Sequence, residues 1–224
     1  MSIKMIISQN FRGLKRHENK YEFFHHLRRR QPFAALIQET WLTGDETLES
    51  EGYTLICLGL PSEKQSRRGS HGVAIALSPQ AMTVWGQSGM EIAWVSSRLI
   101  AIRMMISDHQ NLENDLILIS AYAPIGVESD EAWTSFFADY DTALKMCKLN
   151  DTLIAGMDGN LSMGTNDRNI CGPFGVPHIN DAGRIMHSFL SIRGLTMTTT
   201  FFQKNPTEHG SIHAQNSLTN WTTS

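Results

Sequence analysis

Two stretches of this chain, residues 99–106 (LIAIRMMI) and 116–122 (LILISAY), are apolar at nearly every position. A strand with one face in water alternates polar and apolar residues, whereas a strand covered on both faces does not. These runs predict strands held between layers. Shorter apolar runs at 3–8, 33–37, 53–58, 73–77, 153–155 and 195–201, each bounded by turn residues, predict further strands. Helical spacing places Tyr21, Phe24 and Leu27 on one side of 18–29. It places Trp133, Phe136, Phe137, Tyr140, Leu144 and Cys147 on one side of 131–148, and Ile185, Phe189 and Ile192 on one stripe of 182–192. Helices interleave with strands, but several strand pairs have no helix between them. The expected fold is α/β, with two packed mixed β-sheets flanked by helices, a four-layer αββα sandwich. The polar loop 61–72 (PSEKQSRRGSHG) is the expected mobile segment.

The 224 residues suit one α/β domain or two small ones, and 41% hydrophobic residues are enough for a core. No apolar run is as long as a membrane span. The N-terminus has one lysine and no small-residue cleavage site, so it reads as a strand rather than a signal peptide. A net charge of -3 argues against a grip on nucleic acid by bulk positive charge, but it leaves room for an acidic metal site with local basic contacts. Cys57, Cys147 and Cys171 are too scattered for a zinc site and fit buried thiols in a reducing compartment. His25 and His26 are adjacent on a helix and face different directions. Arg28, Arg29 and Arg30 read as a solvated helix end, and Met82, Met90, Met104, Met105 and Met186 as core filler.

The informative polar residues stand at strand ends. Asn10 follows the first strand, Glu39 the second, and Tyr122 closes the 116–122 run. Asp158 and Asn160 follow 153–155. Each has an ordinary reading: a turn or cap for Asn10, a strand exit for Glu39, a rim aromatic for Tyr122, a tight turn for Asp158-Gly159-Asn160. Together they are the groups that phosphodiester hydrolysis needs: oxygen ligands for a divalent cation, a carboxylate to orient water, and donors for developing charge.

Their order and spacing resemble the endonuclease/exonuclease/phosphatase superfamily, most of all the endonuclease of LINE-type (non-LTR) retrotransposons. The resemblance is carried by Asn10-Phe11-Arg12-Gly13-Leu14, Gln38-Glu39-Thr40, Gly72-Val73-Ala74-Ile75, Tyr122-Ala123-Pro124 and Asp158-Gly159-Asn160. The stretch from Asn180-Asp181-Ala182-Gly183-Arg184 to Thr198-Thr199-Thr200-Phe201-Phe202 resembles the retroelement branch. The likeness runs over roughly residues 3–206. It departs where Met157 separates Gly156 from Asp158, since the family has Gly-Asp directly.

The resemblance implies that Glu39 is the main ligand of Mg²⁺ (or Mn²⁺), with Asn10 supporting it. Asp158 would orient or deprotonate the attacking water, Asn160 would hold the scissile phosphate, and Tyr122 would donate to the phosphate oxygens. Arg67, Arg68 and Asn180 are the candidate substrate contacts. The implied partner is DNA, with no membrane and with a reverse transcriptase encoded downstream; the implied place of action is the nucleus. Competing readings are an abasic-site repair nuclease or a phosphatase of the same superfamily, and a non-catalytic remnant.

Two family elements are missing from this reading: a strand bearing Asp then His or Tyr, and a final Ser-Asp-His. The fold is therefore expected to be truncated at its C-terminal strands, leaving one sheet with an exposed edge, and to be nearly inactive. The genetic code suggests a cause. Asn220-Trp221-Thr222 is encoded AAY TGG ACN, and with the frame advanced by two bases this reads Leu-Asp whatever the degenerate bases are. The following triplets permit His or Tyr and then an aliphatic residue or Phe. The expectation is a frameshift near residues 205–208, with 1–207 forming an incomplete domain and 208–224 an aberrant tail showing no strand pattern. His209 and His213 then carry no chemistry. Resequencing the gene from the codon of Thr198 to well past that of Ser224 is expected to restore an Asp-His strand and a later Ser-Asp-His; an unchanged frame contradicts this.

Overall fold

The computed structural model describes residues 5–67, 69–107, 113–125, 128–159, 161–167, 169–203 and 215–219. The first sheet contains β1 (Ile6–Asn10), β2 (Ala34–Gln38), β3 (Asp45–Ser50), β4 (Tyr53–Leu58) and β5 (Val73–Leu77), in the order β1-β2-β5-β4-β3. The second contains β6 (Ile92–Ser96), β7 (Leu99–Ser107), β8 (Glu113–Tyr122), β9 (Thr152–Asp158), β10 (Thr196–Met197) and β11 (Gln215–Thr219), in the order β10-β11-β9-β8-β7-β6. The pairs β1–β2 and β8–β9 are parallel and the other pairs antiparallel. Four helices accompany the sheets: α1 (His17–Arg30), α2 (Pro79–Gln87), α3 (Asp130–Leu144) and α4 (Asp181–Arg193). None of the described helices is long and apolar enough to cross a membrane.

The two-residue period of the strands builds the layers. Ala34 and Leu36 join the core between the sheets, with Ile75, Ile100, Ile102, Leu116 and Leu118. Their neighbours Ala35 and Ile37 turn outward and pack with Phe23, Phe24 and Leu27 of α1. On the far side, Ile117, Ile119 and Ala155 pack against Trp133, Phe136 and Tyr140 of α3 and Phe189 of α4. Each fully buried Leu, Ile or Phe contributes about 1.5–3 kcal/mol. The result is the expected αββα sandwich, with β7 and β8 covered on both faces.

Several elements differ from the sequence expectation. Helix α2 had no expected counterpart, although Ser78 accepts from Ala81 N at 3.2 Å and Pro79 occupies its first turn, a standard helix start. Strand β3 (DETLES) is a polar edge, which hides the apolar pattern. Strand β6 was also unforeseen. The expected 195–201 strand is only Thr196–Met197, followed by a 3-10 turn at Thr198–Phe201. Ile192 was placed on a buried stripe but is exposed, because α4 buries Met186, Phe189 and Leu190 instead. Met90 and Met105 are exposed, whereas Met104 and Met186 are core. Cys57 and Cys171 are buried, but Cys147 is only partly so. Arg103, inside an apolar run, is buried against Asp115 (2.5 Å) and Asp151 (3.1 Å) and donates to Met146 O. Gln215–Thr219, read as patternless, pairs antiparallel with β9 and β10. His209 and His213 lie outside the described residues.

The sheets approach closely at Gly156. A Cβ there would stand 2.4 Å from Ser8 Oγ and 2.6 Å from Leu36 Cβ. Gly156→Ala is expected to lower stability by about 1–3 kcal/mol through overpacking, read as a lower midpoint in urea unfolding; an unchanged midpoint contradicts this packing.

Candidate active site

Strand periodicity delivers the candidate residues to one place. Asn10 shares a face of β1 with Ile6 and Ser8. Tyr122 shares a face of β8 with Leu116 and Leu118, and Asp158 a face of β9 with Ile154 and Gly156. All three look into the space between the sheets, at the C-terminal ends of the two parallel pairs. Glu39 follows Gln38 directly at the same end of β2. Tyr122 and Asp158 are register partners.

The geometry closes around Asn10. Its Nδ2 donates to Glu39 Oε1 at 2.6 Å and also to Asp158 Oδ2, while its Oδ1 accepts from Arg12 N at 3.1 Å. Asp158 is buried and Glu39 partly buried. One amide thus holds two carboxylates from different sheets, 148 positions apart in the chain for Asp158.

The motifs around Glu39 have packing reasons. Backbone pairing continues beyond β1 and β2, with Phe11, Gly13 and Leu14 N–H donating to Gln38, Glu39 and Thr40 C=O. On the other side Thr40 and Trp41 N–H donate to Gly72 and His71 C=O. Gly13 lies against the Trp41 ring, where a Cβ would come within 2.4 Å, and Gly72 lies against Thr40 Oγ1 at 2.3 Å by the same measure. Glu39 itself has φ 54° and Trp41 φ 57°, a left-handed conformation unfavourable for such residues. The hydrogen bonds on both sides hold the strained turn and aim the carboxylate.

The wall above the carboxylates contains groups that sequence reading missed. The Arg98 guanidinium lies 5.4 Å from the Tyr122 ring centroid and pairs with Glu128 at 2.7 Å. His71 meets the Tyr122 ring edge-on, with centroids 6.0 Å apart. Burial, followed by the Glu39 and Asp158 charges, pushes the Tyr122 hydroxyl well above its ordinary range, so it stays protonated as a donor. Burial and then Arg98 lower the His71 pKa, against smaller opposing effects of Glu128 and Glu39. The sequence carried a weak signal for His71, which immediately precedes Gly72 of a quoted motif. It carried none for Arg98, in a turn between two strands of which one was unforeseen.

The remaining candidates are placed differently. Asn180 is the N-cap of α4: its Oδ1 accepts from Gly183 N (2.8 Å) and Ser162 N (3.1 Å), and it is not hydrogen-bonded to the Asn10 cluster. Arg67 is exposed and makes no ion pair among the described residues. Arg68 and Asn160 lie outside the described residues. In the loop 61–72, Gln65 Oε1 accepts from Ser70 N at 2.8 Å and Gln65 Nε2 donates to Trp41 O at 3.4 Å. Ser107-Asp108-His109 has the letters of the family's final tripeptide. Ser107, however, is register partner to Glu113 at the end of β7–β8 opposite Tyr122, and Asp108 and His109 lie outside the described residues.

The donor set suits a hard divalent cation. Among the described residues no three His, Cys, Asp or Glu side chains gather as a metal cage. Mg²⁺ does not require one, since it keeps several waters and binds through one or two carboxylates. Glu39 is such a carboxylate, and Asp158, held beside it through the Asn10 amide, adds a like charge that a cation would offset.

No protein-family model and no curated protein matches the sequence. Solved structures do match. The endonuclease domain of TRAS1, a telomere-specific non-LTR retrotransposon, is 14% identical, with a TM-score of 0.55 over 95% of this chain and 82% of that one. The APE2 catalytic domain of Xenopus laevis is 16% identical, with a TM-score of 0.61 over 96% of this chain and 82% of that one. The AP endonuclease LMAP of Leishmania major is 10% identical, with a TM-score of 0.63 over 96% and 78%. The likeness shows the fold: this chain has the endonuclease/exonuclease/phosphatase fold.

Asn10→Ala leaves Glu39 and Asp158 facing each other without their shared donor. Thermal unfolding in EDTA is expected to show a loss of about 1–3 kcal/mol, and a melting temperature equal to that of the unsubstituted protein would contradict this role for Asn10.

Proposed function

We propose that this chain is a metal-dependent DNA endonuclease domain of the non-LTR retrotransposon kind. The observation that carries the reading is the Asn10 amide joining Glu39 and Asp158, beside a Tyr122 kept protonated by burial and by those same carboxylates. Glu39, with Asn10 beside it, would hold Mg²⁺ or Mn²⁺. The bound ion would offset negative charge building on the phosphate. Asp158 accepts a proton from the attacking water as its oxygen bonds to phosphorus. The P–O3′ bond breaks, the 3′ oxygen takes a proton from solvent, and a 3′-hydroxyl remains to prime synthesis. Tyr122 donates to the phosphate oxygens, Asn160 holds the scissile phosphate, and Arg67 and Arg68 contact the DNA backbone. A reverse transcriptase encoded downstream and action in the nucleus belong to the same reading.

A second reading, an abasic-site nuclease, has the higher TM-scores of the two repair-type structures on its side. The retroelement-like sequence from Asn180 to Phe202 favours the first. In both readings 1–207 supplies Glu39, Asn10, Tyr122 and Asp158, and 208–224 stays a frameshifted tail in the proposal, although Gln215–Thr219 of it pairs with β9 and β10.

Supercoiled plasmid with Mg²⁺ tests the proposal. The gene with its frame restored is expected to nick plasmid without an abasic site, and Glu39→Ala to reduce nicking at least a hundredfold, in line with loss of a principal catalytic electrostatic group. The 224 residues as given are expected to nick at a small fraction of that rate. Nicking confined to abasic plasmid selects the second reading. Equal nicking by Glu39→Ala, or none by the restored protein, sinks the assignment of a nuclease site.

A further inference from the structure

We infer that His71 is a substrate-contacting residue that donates a hydrogen bond from a neutral imidazole to a DNA phosphate oxygen; this rests on the nuclease reading above. His71 sits at φ 57°, between Gly69 at φ 97° and Gly72 at φ 89°. Its backbone is fixed on both sides: His71 O accepts from Trp41 N, and Gly72 N donates to Ser97 O, each at 3.0 Å. A strained, doubly anchored backbone gives the ring a defined position. That position is against the edge of Tyr122.

The ring nitrogens are unequal. Nδ1 is sealed from solvent without a hydrogen-bond partner, one of two such side-chain atoms among the described residues; Nε2 is not one of them, and the residue as a whole is partly exposed. A proton on Nδ1 would bury a donor with nothing to receive it. The neutral tautomer with its proton on Nε2 therefore directs the donor to the open side. Burial, and then Arg98, whose guanidinium lies over Tyr122, disfavour a second proton on the ring.

The Tyr122 hydroxyl makes no hydrogen bond among the described residues either. His71 and Tyr122 thus present two adjacent neutral donors on the wall above Glu39 and Asp158. Neutral donors suit an anion next to carboxylates: they bond its oxygens without adding a cation that Glu39 would capture. A residue serving only the fold would more simply be Gly at this φ, with no side-chain nitrogen to bury.

The test is binding of a short fluorescein-labelled DNA duplex to the full chain in Ca²⁺, with His71→Gly, His71→Gln and Arg67→Ala compared. His71→Gly removes the ring and relieves the backbone, so it is expected to melt no lower than the parent yet bind DNA roughly tenfold more weakly, the loss of one hydrogen bond to an anion. His71→Gln, whose Nε2 can reach the same side, is expected to recover most of that loss. The slope of log affinity against log salt is expected to stay unchanged in His71→Gly and to fall by about one in Arg67→Ala. Parental affinity in His71→Gly overturns the inference alone. So does an equal loss in His71→Gly and His71→Gln with lowered melting temperatures, which marks a purely structural role. A slope reduced by about one in His71→Gly overturns the neutral donor. No DNA binding by the parent chain overturns this inference together with the nuclease reading.

Discussion

Gln38 is fully buried between two sheets that meet mostly through apolar side chains. Its Nε2 donates to Ser120 Oγ at 3.1 Å and to Gly156 O at 3.2 Å, and Ser120 Oγ donates across to Ile37 O at 2.8 Å. An amide left unsatisfied there would be costly, so the network tolerates one relative setting of the sheets far better than its neighbours. Apolar packing alone lets two sheets slide with modest loss. This clamp fixes the slide, one residue from Glu39 and two from both Tyr122 and Asp158. The distance between carboxylates of different sheets follows from it, and Gly156 is the residue whose lack of a side chain lets the clamp close.

Strain is concentrated on the same side of the molecule. Glu39, Trp41 and His71 all have positive φ, and each is held by hydrogen bonds or packing from segments distant in sequence. Glu39 is aimed by a turn that the chain would not adopt by itself. The pressure of Gly13 and Gly69 against the Trp41 ring shows that these glycines serve the turn as well as their own backbones.

The sequence disclosed the layers because burial on both faces of β7 and β8 leaves a near-continuous apolar record. It brought the candidates within reach because Asn10, Tyr122 and Asp158 end strands whose period sends them inward, and Glu39 follows directly on the buried end of β2. It failed for β3, where an edge strand's polar residues erase the pattern, and for Ile192, where helical spacing identified a stripe without saying how wide the covered arc is. Gln38 belongs to a motif, but its role as clamp is not legible in the sequence, since its partners lie 82 and 118 positions away. Asn180 illustrates the opposite case. Its place in a motif suggested substrate, but an Asn before a helix most simply caps it. Arg98 has meaning only once Tyr122 lies beneath it.

The pairing of Asn10 with Asp158 has a consequence for how the molecule is made. Synthesis runs from the N-terminus, and strands that pair over long separations form late. When Asn10, Glu39 and His71 have left the ribosome, their opposing wall does not yet exist. The carboxylate pair comes into being only after β8, α3 and β9 have emerged and docked. A chain interrupted before Asp158 therefore carries half of an acidic pocket and none of its geometry, so on the proposed nuclease reading a nascent chain would be harmless until most of the sandwich is folded.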